Sequence, residues 1–242
     1  MVTINPEEVE KFNQIAQEWW DESGKFKPLH KFNPIRISYL KDKICQYFEI
    51  KEVKDGKPLK GLKILDVGCG GGLLCEPLAR LGAKIVGIDA GEKNIGAAKA
   101  HALQENLEID YRNQDVEELA ATKEKFDIVL SMEVVEHVAD VTAFIGACAS
   151  CLKPENSLLF LATLNRTPQS FLAAIIGAEY VLRWLPRGTH DWKKFLKPSE
   201  LAKMAQASGL DLKDVTGFDY NIFKDEWRSG QDLNVNYAMC LG

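Results

Sequence analysis

Two groups of side chains in this sequence have types and spacings that could do chemistry. The first is the run Asp66-Val67-Gly68-Cys69-Gly70-Gly71-Gly72, with Asp89 following 21 residues after Gly68. Glycines between a strand and a helix let the backbone turn sharply and approach a ligand closely. The free N–H groups that open the next helix can meet an anion. An acidic residue ending the following strand can accept both hydroxyls of a ribose. Gly68, Gly70 and Asp89 therefore read as a seat for a nucleoside-bearing ligand. A dinucleotide seat would carry glycine at the last position of G-x-G-x-x-G, where this chain has Leu73. That difference argues against a pyrophosphate. A structural turn before a helix is the plainer alternative.

The second group is Glu133, Glu136 and His137. The two acids are three residues apart, and Glu133 and His137 are four apart. If residues 134–138 are helical, all three point to one side. Two carboxylates with one imidazole could hold a divalent ion. Oxygen-rich ligation suits Mg²⁺, and the imidazole would also admit Mn²⁺ or Zn²⁺. Two other readings stay open: His137 as a general base without a metal, or acids that favour the positive end of a helix beside a packed histidine. Cys148-x-x-Cys151 lies in an apolar stretch, residues 144–152, without a second pair to complete a zinc site. Buried helix packing is expected there rather than redox or metal chemistry. All six cysteines are expected to be reduced thiols.

The elements that must position these residues follow from periodicity. Asn5 can cap a first helix, Pro6 fits its first position, and Glu7 and Glu8 favour its positive end. Val9, Phe12, Ala16 and Trp19 then recur at helical spacing. Asn33-Pro34 starts a second helix, with Ile37, Leu40, Ile44 and Phe48 on one face. Residues 51–60 are a charged linker. Strands read at 62–67, 84–88, 109–112, 126–130 and 158–162 then alternate with helical patterns, among them 73–81 and 92–104. Such alternation makes a mostly parallel sheet with helices on both faces, an α/β fold. A helix at 199–208 and strands near 210–215 and 235–241 close the chain. Residues 163–190 are too long for a simple connection and strongly apolar. We expect a mobile, partly helical lid that touches a membrane and admits a lipid-soluble substrate; a buried hairpin is the alternative.

Composition sets the bounds. The chain has 242 residues, 46% hydrophobic and 27% charged, as ordinary soluble domains do. Its net charge of −5 does not favour a nucleic-acid partner. No run approaches the ~20 apolar residues of a membrane span. The first ten residues are polar and acidic, unlike a secretory leader, and no Arg-rich transit segment is present. The expected location is the cytoplasm, with peripheral contact at the inner membrane.

Residues 64–72, Ile-Leu-Asp-Val-Gly-Cys-Gly-Gly-Gly, resemble the first motif of class I S-adenosylmethionine-dependent methyltransferases. The resemblance implies that the glycines pass under the methionine part and that Asp89 holds the ribose. It also implies that Asp115 meets the adenine amino group and that Met132 lies against the cofactor. Their plainer alternatives are a helix cap and core packing. Four further motifs stand in order: Trp19-Trp20-Asp21, Phe32-Asn33-Pro34-Ile35-Arg36, residues 132–138 (Met-Glu-Val-Val-Glu-His-Val) and residues 188–195 (Gly-Thr-His-Asp-Trp-Lys-Lys-Phe). Together they resemble the ubiquinone-biosynthesis O-methyltransferase family, which methylates polyprenyl catechols and demethylubiquinol. The similarity runs from about Pro6 to Tyr237. One departure is Lys153-Pro154-Glu155-Asn156, where many methyltransferases have Lys-Pro-Gly-Gly. Asn tolerates a left-handed turn, so this changes a hairpin rather than the chemistry.

The resemblance implies a single methyltransferase domain over 1–242. Its parts are an N-terminal helical cap (1–50), a cofactor core (60–163), a substrate and membrane lid (164–197) and a C-terminal helix with strands (198–242). It also implies that Arg36 reaches the cofactor carboxylate. Methyl transfer is an in-line displacement from a sulfonium, so a base or a metal must loosen the phenol proton. His137 is the first candidate base and His190 the second. Expected partners are a lipophilic polyprenyl catechol, anionic membrane lipids and other ubiquinone-biosynthesis enzymes. Another lipophilic acceptor, or an inactive lipid-binding relative, remains the alternative. Ser131-Met132-Glu133-Val134 lacks the Asn-Pro-Pro-Tyr of amide and nucleic-acid methylases.

Overall fold

Eight strands form one sheet in the order β3-β2-β1-β4-β5-β8-β6-β7. The computed structural model describes residues 3–51, 53–172, 191–222 and 224–242. The strands are β1 (Lys63–Val67), β2 (Lys84–Asp89), β3 (Asp110–Asn113), β4 (Ile128–Met132), β5 (Leu158–Leu164), β6 (Leu212–Asn221), β7 (Glu226–Gly230) and β8 (Asn236–Leu241). The first five are parallel, and β8, β6 and β7 are antiparallel. The chain runs outward from β1 to β2 and β3, then returns to place β4 on the other side of β1. That reversal opens a crevice at the carboxyl ends of β1 and β4, where open α/β sheets bind ligands.

Side chains along each parallel strand alternate between two apolar layers, as the period of two requires. Ile64, Ile128, Leu130, Leu158 and Phe160 pack with α2 (Lys27–Tyr47), α3 (Cys75–Arg80) and α4 (Glu92–Gln104), through Leu40, Ile44, Leu78, Ile95 and Ala98. Leu65, Val129, Leu159 and Leu161 point the other way. They meet α5 (Val116–Ala121), α6 (Val141–Ser150) and α8 (Pro198–Ala207) through Leu119, Phe144, Ile145, Leu201 and Ala205. A buried strand covered on both faces reads as a continuous apolar run, and all seven residues of β5 are buried. Cys148 and Cys151 are buried free thiols in the second layer, as expected.

Several expectations change in detail. The second helix begins at Lys27, with Pro28 in its first turn, where a missing N–H costs nothing; Pro34 lies inside it. The first helix, α1 (Pro6–Gln14), is capped by Asn5 as expected, but it ends before Ala16, and a 3₁₀ turn carries the chain to Trp19. Three strands, not two, close the chain, because β6 continues past 215 and folds back as β7. Asn156 has φ 51°, the left-handed turn expected of it. Residues 173–190, most of the expected lid, lie outside the described residues. At their edges Thr167 caps α7 (Pro168–Ser170), and Trp192 Nε1 donates to the Thr167 carbonyl at 3.0 Å. Phe171 and Leu172 are exposed. Among the described residues no helix is long and apolar enough to cross a membrane.

The loop after β1 meets the turn after β4 with no room to spare. Gly68 has φ 73°, and a Cβ there would come within 2.6 Å of Val134 Cγ2. Gly68→Ala should therefore destabilise the fold by about 1–3 kcal/mol through left-handed strain and overpacking. Adding Val134→Ala should restore only part of the loss, because it removes the clash and leaves the strain. Thermal denaturation of the two variants checks this; full recovery in the double variant would show that backbone strain plays no part.

Candidate active site

β1 ends at Val67, and the backbone turns through Gly68 and Gly70, both at positive φ. Gly68 and Cys69 donate their N–H groups to the Ile88 carbonyl, which ties the loop to the end of β2. Asp89 ends β2 beside it. Its Oδ2 accepts from Gly70 N at 3.0 Å, and its Oδ1 accepts from Gly91 N at 2.7 Å and Asn94 Nδ2 at 3.0 Å. Burial pushes the Asp89 carboxyl up, and these three donors oppose that. Trp19 covers the loop: its side chain lies against Gly70 and Gly71, where any Cβ would collide with it. Its Nε1 donates to Asn94 Oδ1 at 2.9 Å, and its ring stacks on Phe26 at 3.8 Å. The expected set of Gly68, Gly70 and Asp89 is thus one hydrogen-bonded unit.

Arg36 projects from α2 and is buried. Its Nη2 donates to Asn33 Oδ1 at 3.0 Å, and its guanidinium stands 5.0 Å from the centre of the Phe32 ring. Asn33 in turn donates to the Leu73 carbonyl at 2.6 Å, which joins the helix to the glycine loop. Arg36 Nε is buried with no partner. Asp66 and Glu133 are the acids whose charge Arg36 feels. Burial raises Asp66 to about 6, opposed by a hydrogen bond from Cys75 Sγ at 3.1 Å and by Arg36. A buried guanidinium with an unused N–H fits the carboxylate of a small ligand.

Residues 134–138 are not helical. The chain leaves β4 through Glu133 at φ 63°, a left-handed conformation uncommon for a residue with a Cβ, and makes a turn closed by His137 N on the Val134 carbonyl at 2.8 Å. Glu136 is buried and accepts from Thr163 Oγ1 at 2.8 Å. Glu133 Oε1 is buried without a partner. Burial first, and then the charge of Glu136, push the Glu133 carboxyl well above the usual carboxylate range, against the pull of Arg36. Two adjoining buried carboxylates need a proton or a cation between them. The His137 ring faces α1 instead. Its Nδ1 lies 3.1 Å from Glu8 Oε2, and the Phe12 ring packs on it nearly at right angles. Among the described residues no three His, Cys, Asp or Glu side chains form a ready metal cluster. The carboxylate pair nevertheless fits an oxygen-loving divalent ion, with His137 next to it in the chain.

Asp115 caps α5 in a reciprocal capping box with Glu118, so its cap role is visible; burial raises its carboxyl. Met132 is buried at the end of β4 in the layer that contains the helix bearing Arg36. His190 lies outside the described residues. Sequence reasoning missed Glu8, Asn94, Thr163 and Asp66 as parts of the site. Only Asp66, inside the glycine motif, and Asn94, five residues after Asp89, gave a local signal. Glu8 and Thr163 reach the site through pairings that no spacing announces.

The sequence matches the methyltransferase domain family over residues 32–215. It is 55% identical over 239 residues to a ubiquinone biosynthesis O-methyltransferase of Bartonella bacilliformis, covering 99% of this chain and 96% of that one. It is 53% identical over 237 residues to the protein of that name from Pelagibacter ubique, covering 98% and 97%. Among solved structures, a plantazolicin methyltransferase in complex with a substrate analogue and SAH superposes with a TM-score of 0.65 at 16% identity, covering 97% and 96%. The magnesium protoporphyrin IX methyltransferase of Synechocystis PCC 6803 with bound SAH gives 0.60 at 21%, covering 100% and 89%. The two structures share the fold, and the sequence relatives carry the family: this chain belongs to the ubiquinone biosynthesis O-methyltransferases, S-adenosylmethionine-dependent enzymes with the class I methyltransferase fold.

Proposed function

We propose that this chain transfers the methyl group of S-adenosylmethionine to a phenolic oxygen of a polyprenylated catechol, and of demethylubiquinol, in ubiquinone synthesis. One observation carries the reading. At the crevice between β1 and β4 the fold gathers the Asp89–Gly70 unit, a buried guanidinium with an unused N–H, and the acid-rich turn after β4. Asp89 takes the ribose hydroxyls, Arg36 the carboxylate, and Asp115 the adenine amino group. Gly68 and Gly70 carry the loop under the methionine part, and Met132 packs beside it.

The transfer is a displacement at the methyl carbon. The bond from sulfur to methyl breaks as the bond from oxygen to methyl forms, and the sulfur leaves neutral. No covalent intermediate with the protein is needed, so holding the two reactants in line supplies much of the rate. The phenol proton must leave, and the ring nitrogen of His137 that Glu8 does not engage would accept it. His190 is the second candidate for that task. Glu133 and Glu136, with His137, would hold Mg²⁺. A divalent ion held there would supply positive charge to stabilise a phenolate. Exposed Phe171 and Leu172, together with Lys193 and Lys197 of the sequence, support peripheral contact with anionic lipid near the apolar segment 173–190.

Transfer of a radiolabelled methyl group to a short-tailed catechol tests the reaction itself. We expect turnover that is lost on exhaustive chelation and restored by Mg²⁺. Full activity without any ion would remove the metal and leave His137 as the base; no transfer to any catechol would overturn the substrate class.

Asp89→Ala should weaken S-adenosylmethionine binding at least about tenfold. Hydrogen bonds to a charged group contribute roughly 1.5–3 kcal/mol each, and the glycine loop loses its anchor as well. Calorimetry on folded protein measures this, and unchanged affinity would take Asp89 out of the site.

For the lipid contact, Phe171→Ala/Leu172→Ala should sediment less with anionic vesicles than the unaltered chain. Equal binding would remove these two residues from the membrane surface.

A further inference from the structure

Glu8 is a buried carboxylate on the N-terminal helix, and three cationic or proton-bearing groups converge on it. Its Oε2 meets His137 Nδ1 at 3.1 Å. Its Oε1 accepts from Lys11 Nζ and from Lys194 Nζ, each at 3.2 Å. Lys11 comes from the same helix. Lys194 comes from the chain that returns after residue 190, so one carboxylate joins three segments far apart in sequence. Two lysine ammonium groups within hydrogen-bond distance of one oxygen make Glu8 a carboxylate, which can only accept.

That fixes the direction of the contact. His137 Nδ1 must carry the hydrogen and donate it. In the neutral ring, Nε2 is then the atom with the free lone pair. No described residue pairs with Nε2. Phe12, one helical turn after Glu8, sets its ring nearly perpendicular to the imidazole, the centres 5.4 Å apart and the planes at 86°. The helix that delivers both residues is pinned at its start to the same turn: Ala139 N donates to the Thr3 carbonyl at 2.8 Å, and Thr3 N donates to Glu117 Oε1 at 2.9 Å. The contact is thus held by packing and by backbone bonds, not by two long side chains meeting in solvent.

We propose that Glu8 is a positioning residue for His137: its carboxylate fixes the neutral imidazole in the Nδ1–H form and aims Nε2 at the reacting centre. The proposal rests on the placement of His137 in that centre. It holds whether Nε2 takes the phenol proton or ligates an ion, since both tasks need the same lone pair. A carboxylate behind a working histidine commonly governs its tautomer and ring orientation, and its loss costs about 10–100-fold in activity or metal affinity.

The chain has four histidines, so ¹⁵N labelling of histidine alone gives a spectrum simple enough to assign with His137→Ala. At mildly alkaline pH the unaltered protein should show His137 in the Nδ1–H form. Glu8→Ala should convert it to a mixture of tautomers and lower kcat about 10–100-fold, with S-adenosylmethionine affinity unchanged. Glu8→Gln, whose amide oxygen still accepts, should keep the tautomer and recover most of kcat. In a His137→Ala background, Glu8→Ala should lower the residual rate no further. An unchanged tautomer in Glu8→Ala overturns the proposal. So does full turnover of Glu8→Ala beside an inactive His137→Ala, or an equal loss with and without His137. Full turnover by His137→Ala is a different failure: it removes His137 from the reacting centre and the proposal with it.

Discussion

Between β1 and β4 the backbone comes so close to its neighbours that positions 68, 70 and 71 cannot carry a Cβ. Val134 fills the space beside Gly68, and Trp19 fills the space beside Gly70 and Gly71. These contacts bring the turn after β4 and the N-terminal segment onto the loop that would seat the cofactor. The Asp89–Gly70 bond then fixes the loop against β2, and the Asn33–Leu73 bond fixes α2, with Arg36, against its far end. Removing any one of these close approaches separates groups that the fold holds together. The fold supplies the crevice by strand order, but the loop's fit decides whether the crevice is a site.

The charge balance follows from the same crowding. Asp66, Glu133 and Glu136 are acids within or beside the core, and Arg36 is the buried guanidinium among them. Burial raises Asp66 and Glu133 towards their neutral forms, because unpaired charge in a poorly solvated place is costly. A crevice with more acids than bases favours cationic occupants. A sulfonium methyl donor brings positive charge to it, and so does a divalent ion. The left-handed backbone at Glu133 is consistent with this division of labour, since strain at a ligand-facing turn persists only where its surroundings impose it.

Much of this was legible in the sequence. Four of the five parallel strands announced themselves as short apolar runs separated by helical periods; β3, Asp-Tyr-Arg-Asn, is mostly polar. Asn5-Pro6 marked the start of α1, and the glycine run with Asp89 marked the loop that the structure ties to the end of β2. Where the reading failed, a local rule lost to a longer-range one. Asn33-Pro34 looked like a helix start, yet Pro28 already occupied the first turn and packing carried the helix through Pro34. The spacing of Glu133, Glu136 and His137 suggested one helical face. The chain instead needs a tight turn there, because Val134 must reach Gly68. The β6–β7 pairing sets Asn221 beside Glu226, although no strong turn signal in the sequence predicted a hairpin there.

The N-terminal helix shows most clearly why a site is less legible than a fold. Strand periodicity is written within five to ten residues, whereas Glu8 and His137 are 129 residues apart. From sequence, Glu7 and Glu8 look equivalent: two acids in the first turn, each suited to the helix dipole. Burial separates them. Glu7 faces solvent, while Glu8 turns inward onto His137 and Lys194. The difference is one step of about 100° around a helix whose orientation is set by Thr3 pairing with Ala139. The first helical turn is therefore joined to the turn after β4, and the two become one unit only when the domain is complete.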